Sequence, residues 1–236
     1  MVSVEELEST KVNQVTRPIA IDESVSVSSD DRIDEELERL LLWASNALGS
    51  DQLIKAKEEF YWQSGKIFPD DSFYASRMAY FIDNFLLDRP IDRHKTFEGL
   101  TPFEAYEDEN TKTIQPLRHS VFSVQRKNQS KLQLKCLISG EKFVVMARPD
   151  QRLDGIEKKD IFQCYIYRLN EANYLSKGTI FHPYKAYKII QRSLKKALSS
   201  PDFEATKALF QLARQQLRHC RHPHIDPRKF YQDDRI

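Results

Sequence analysis

The chain has 236 residues, 40% apolar and 30% charged, which suits a globular protein of one large or two modest domains. No apolar run approaches the ~18 residues of a membrane helix. The opening Met1-Val2-Ser3-Val4-Glu5-Glu6 carries acid where a secretory signal carries base. A cytoplasmic protein without membrane contact is therefore expected. Cys136, Cys164 and Cys220 are too few and too widely spaced for a disulfide framework or a CxxC metal knuckle.

The net charge of +1 hides a strong polarity. Residues 1–110 hold 24 acids and 11 Lys or Arg, a balance of −13. Residues 111–184 hold 13 bases and 6 acids, and residues 185–236 hold 12 and 5, so each carries +7. Either the halves neutralise each other or the basic part faces a polyanion.

Residues 1–30 mix Ser, Val, Thr and acid without periodicity and read as a flexible tail. An acidic helical unit is expected over 31–110. Its first helix, capped by Asp30 or Asp31, carries Ile33, Leu37, Leu40, Leu41 and Ala44 at helical spacing and ends at Gly49. Asp51 is expected to cap a second helix, to about Gln63, with Gly65 at its C-terminus. A third starts at Pro69-Asp70-Asp71-Ser72 and runs to Pro90. Phe73, Tyr74, Met78, Tyr80, Phe81, Ile82 and Phe85 make it apolar nearly all round, as a central helix is. With Tyr61, Trp62 and Phe68 this is the most aromatic region. At that spacing the aromatics read as core rather than as a stacking site. Thr101-Pro102-Phe103-Glu104 has the form of a capping box opening a short helix to about Asp108. Asn110 to Pro116 reads as a linker.

A β-unit is expected over 117–182. Lys131 to Leu137 alternates apolar and polar residues, Ser139-Gly140 turns, and Phe143 to Met146 returns, as in a hairpin. Ile161 to Leu169 is a further strand, Asn170 to Asn173 a turn, and Tyr174-Leu175 and Thr179 to Phe181 close the set. Five or six strands without a helical crossover imply a small antiparallel sheet or partly open barrel. A basic helical pair is expected over 184–221. One helix spans about Tyr184 to Leu198, with Tyr187, Ile190, Leu194 and Leu198 on one face. The other is capped by Ser199-Ser200-Pro201-Asp202 and runs to Cys220. Residues 222–236 read as an irregular tail. The fold class is α+β.

The candidate polyanion-binding residues are Lys185, Lys188, Arg192, Lys195 and Lys196 on the first basic helix, with Lys131 and Lys135 on the sheet. Cations along one face can follow a phosphate backbone by releasing counterions. Tyr165, Tyr167 and Tyr174 are candidate stacking platforms. His219, His222 and His224, with Asp226, are the one cluster able to bind zinc, in a spacing that matches no standard site. Pro149-Asp150 with Glu157-Lys158-Lys159 mimics a nuclease pattern with too short a gap. Ser193-Leu194-Lys195-Lys196 mimics a serine–lysine pair inside a helix. Six scattered glycines form neither a Walker loop nor a dinucleotide fingerprint, and no cofactor is implied. The expectation is a non-catalytic module binding a protein partner. Nucleic-acid binding by the basic helix and β-face is the alternative, and a metal-dependent hydrolase comes third. No oligomeric state is implied.

Overall fold

The computed structural model describes residues 29–106, 113–148 and 155–232. The tail expected over 1–30 lies outside the described residues up to residue 28, as does Asp150. Four helices precede the sheet: α1 (Ser29–Leu48), α2 (Ser50–Ser64), α3 (Tyr74–Leu87) and α4 (Pro102–Ala105). Six strands follow: β1 (Ile114–Lys127), β2 (Lys131–Cys136), β3 (Lys142–Met146), β4 (Ile161–Leu169), β5 (Ala172–Leu175) and β6 (Ile180–His182). A 3-10 turn (Tyr184–Ala186) leads into α5 (Tyr187–Ala197), then α6 (Ala205–Arg221) and α7 (Arg228–Tyr231). Among the described residues no helix is long and apolar enough to cross a membrane.

The α+β class holds, and the sheet is ring-like without being a true barrel. Its order is β1-β2-β3-β5-β4-β6, and β1 also pairs with β4 along its length. The ring closes between β3 and β5 through one parallel bridge, Met146 to Tyr174, while every other pairing is antiparallel. Alternation sorts the side chains of β4. Phe162, Cys164 and Ile166 point into the ring with Phe122, Leu132, Leu134 and Val145. Tyr165, Tyr167 and Leu169 point outward into a core shared with α1, α2, α3 and α6. Covered on both faces, β4 is buried at eight of its nine residues. At its other end Ile161, with Val121, packs under Ile190, Leu194, Leu209 and Leu212 of α5 and α6.

The central helix is α3, whose Tyr80, Phe81, Phe85 and Leu86 are buried. Its Arg77 is also buried, donating to the Ala213 carbonyl and to Gln216 of α6. Burial pulls its pKa down to about 10, so it keeps its charge at neutral pH.

Several boundaries differ from the sequence reading. The last three residues of the expected linker are strand: β1 begins at Ile114 and runs through Pro116, where a register shift before Arg118 accommodates a residue with no N–H to give, while residues 110–112 lie outside the described residues. Residues 69–73 form turns, and α3 begins only at Tyr74 and ends at Leu87, before Pro90. Gly49, not Asp51, is the N-cap of α2 and supplies no side-chain bond. The capping box at Thr101 and Glu104 forms in full, yet α4 ends at Ala105 because Tyr106 is extended. Ser199 to Phe203 form turns rather than a cap, so α6 starts at Ala205 without a side-chain cap. Ala197 takes the buried position expected for Leu198, which is exposed. The expected irregular C-terminus contains α7, anchored by buried Phe230 and Tyr231.

Candidate functional site

Two features stand apart from ordinary core packing: a hydrogen-bonded chain behind a cleft, and a cationic surface. The chain arises where the helix-facing side of β4 meets α3. Tyr165 donates to Asp88 Oδ2 at 2.6 Å, and His119 Nδ1 lies 2.5 Å from the same oxygen. His119 Nε2 is 2.6 Å from the Tyr80 hydroxyl, which also accepts from Gln163 Nε2 at 2.8 Å. Gln163 Oε1 meets His182 Nε2 at 3.2 Å, and His182 Nδ1 meets the Tyr231 hydroxyl at 2.9 Å.

Donor counting assigns the protons. Burial pushes the His182 pKa down to about 3, so the ring is neutral. Its Nε2–H donates to Gln163, and Nδ1 accepts from Tyr231. Tyr80, already accepting from Gln163, donates to His119 Nε2, and His119 Nδ1–H donates to Asp88. Every link then points the same way, from Tyr231 of α7 to Asp88 at the end of α3. Asp88 is ionised: burial raises its pKa, but the bond and electrostatic attraction of His119, with the bond from Tyr165, outweigh burial and bring it below the usual carboxylate range.

Asp88, His119 and Tyr165 line a cleft of about 330 Å³ with Leu117, Arg118 and Thr206. Both His119 nitrogens are engaged within the protein, and the basic Nε2 faces Tyr80 in the interior. His119 also stacks on Tyr165, ring centroids 3.9 Å apart. Neither ring nitrogen of His119 is free, Nδ1 being bonded to Asp88 and Nε2 to Tyr80. A filled network of this kind fixes α3 against β4 and rigidifies the interior. A second buried acid lies nearby. Tyr167 donates to Asp83 Oδ1 at 2.5 Å, and burial raises Asp83 to about 7.

The cationic surface runs from Lys185 in the 3-10 turn along α5. Lys185, Lys188, Arg192, Lys195 and Lys196 are all exposed, and the first turn of α5 holds no acid. Among the described residues Lys185, Lys188, Arg192 and Lys195 make no ion pair. The charges that do bridge the two halves are others: Arg148 and Lys177 meet Asp34, and Arg221 meets Asp71. Lys131 and Lys135 are exposed on the outer face of β2, and Lys135 sits directly opposite Lys142 of β3. Like charges in that register repel, and an anion bound across them would relieve it.

Tyr165 and Tyr167 are buried among α3 side chains rather than open to bases. Tyr174 is also buried. His222 stacks on Phe230 and lies 6.2 Å from His224 between ring centroids, while His219 packs against the same Phe230. Among the described residues no three His, Cys, Asp or Glu are grouped to hold a metal ion. Ser193 and Lys196 lie on α5 itself, and Glu157 to Lys159 precede β4.

Sequence reasoning missed the hydrogen-bonded chain. Gln163 was its one signal: an amide amid Ile161-Phe162-Gln163-Cys164-Tyr165-Ile166 must find partners if the strand is buried on both faces. No protein-family model, no curated protein and no solved structure matches the chain.

Proposed function

We propose that this chain is a non-catalytic nucleic-acid-binding module that engages its partner through the cationic face of α5. The observation behind this reading is that Lys185, Lys188, Arg192 and Lys195 are exposed without ion pairs while intramolecular neutralisation is carried by Arg148, Lys177 and Arg221. The face is also nearly free of large exposed apolar side chains, with Tyr184 and Leu198 only at its two ends. A protein–protein interface builds its core from apolar and aromatic anchors and is depleted in lysine there. A phosphate backbone needs only positive charge in a row.

The test is binding of labelled RNA and DNA to the purified chain across a salt series. Four cations each neutralising a phosphate give a log–log salt slope of about −3 for single strands. The variant K188E/R192E/K195E, changed only at exposed positions, keeps the fold and loses binding. Equal affinity in that variant, or affinity indifferent to salt, refutes the reading and returns the protein partner to first place.

A further inference from the structure

The most exposed large apolar side chain among the described residues is Trp62, 78% accessible at the last turn of α2. It makes no ring contact with the described residues, unlike Trp43, which packs edge-on against Phe97 and Tyr106. Six residues on, Phe68 is also exposed, and both Lys66 and Arg221 sit over its ring, 5.5 and 5.3 Å from the centroid. The two aromatics are tied to one stripe of α6. Arg214 donates to the Trp62 carbonyl, and Arg221 donates to the Lys66 carbonyl at 2.7 Å. Arg218 lies between them on the helix, at the spacing that places 214, 218 and 221 on one face.

Contacts through α7 lead from this surface towards the α5 face. Arg218 lies over Phe230 of α7, 5.9 Å from its centroid, and His222 stacks on the same ring. The following loop carries Asp226, which is held by Arg228 and lies within the electrostatic reach of Lys185 in the 3-10 turn before α5. Asp71 and Asp226 are each paired with an arginine of this surface, while Glu58, one turn before Trp62, and Asp70 are exposed.

We infer that a single-stranded polynucleotide follows this route, its bases stacking on Trp62 and Phe68 and its phosphates lying along the C-terminal end of α6 towards α5. The inference rests on the α5 reading above and adds the form of the nucleic acid. Charge complementarity selects a polyanion. An exposed indole, with Arg214 holding the backbone carbonyl of the same residue, selects one whose bases are free to stack, since bases in a duplex already stack on each other. RNA and DNA share this chemistry, so sugar identity is left to the experiment.

Oligo(U), oligo(dT) and a duplex, each of about twelve nucleotides, a length within the site sizes of single-strand binders, are titrated against the full chain. Indole fluorescence and oligonucleotide anisotropy are both followed. Wild type is expected to show quenching with the single strands. Trp62→Ala should weaken single-strand binding by roughly 5- to 150-fold, the loss of one stacked base, and leave duplex binding unchanged. An unaltered thermal melt of this variant shows that the fold is intact. Binding by either single strand supports the inference, and the tighter arm names the sugar. Unchanged single-strand affinity in Trp62→Ala overturns the stacking platform, even where K188E/R192E/K195E abolishes binding and so upholds the α5 reading. Wild type that binds none of the three at low salt overturns both.

Discussion

Replacing Asp83 by Asn isolates the cost of one buried acid. Asp83 is almost wholly buried on α3, with Tyr167 donating to Oδ1. Burial raises its pKa from 3.8 to about 7. In the unfolded chain the carboxyl ionises near 3.8, whereas the folded protein holds the proton until about 7. Its contribution is therefore complete below 3.8 and is lost as the pH rises to about 7. The whole change corresponds to about 4 kcal/mol, of which about 2–3 kcal/mol falls between pH 5 and pH 8. An asparagine is neutral throughout and keeps an oxygen for Tyr167. Urea unfolding of both proteins at several pH values measures the difference, because other titrating groups cancel between them. Asp83→Asn should gain on wild type by about 2–3 kcal/mol from pH 5 to pH 8. Parallel stability profiles would refute the assignment of a buried, proton-holding Asp83.

Gly178→Ala should destabilise the protein by at least about 1–3 kcal/mol. A Cβ there would lie 2.5 Å from the backbone N and Cα of Tyr80 and 2.7 Å from Asp83 Oδ2, and the helix backbone cannot step aside. Gly155→Ala, with open space around it, should stay within about 0.5 kcal/mol, and thermal unfolding of the two compares them directly. Tyr80→Phe removes the hydroxyl between Gln163 and His119 and leaves both without their partner, a loss of about 1–3 kcal/mol by urea unfolding. The same variant should shift the His119 and His182 ring resonances, and unchanged resonances would show that the chain of bonds is not formed.

Much of the architecture was legible in the sequence because it is local. The Thr101–Glu104 capping box, the β2–β3 hairpin and the limits of β4 are each dictated by residues within a few positions of one another. Helical spacing alone placed Lys185, Lys188, Arg192 and Lys196 on one face, and all four are exposed. Trp62 was read as core with its aromatic neighbours. It falls out of phase with buried Ala56, Phe60 and Ser64 on α2, and phase decided its exposure. Prolines misled in both directions: Pro116 sits within a strand at a register shift, and Pro69 does not begin α3.

Composition and periodicity by themselves determined the α+β class, the helical and strand segments, and a chain acidic at its front and basic at its back. They did so because propensity and amphipathic period act over one or two turns. Only the tertiary structure decided that β4 is buried on both faces, that the sheet curls until β3 meets β5, and that Asp88, His119, Tyr80, Gln163, His182 and Tyr231 form one chain of hydrogen bonds. It also decided which charges neutralise one another: Arg148 and Lys177 meet Asp34, and Arg221 meets Asp71. These depend on groups up to about a hundred or more positions apart, brought together by burial of a shared core whose geometry no local pattern encodes.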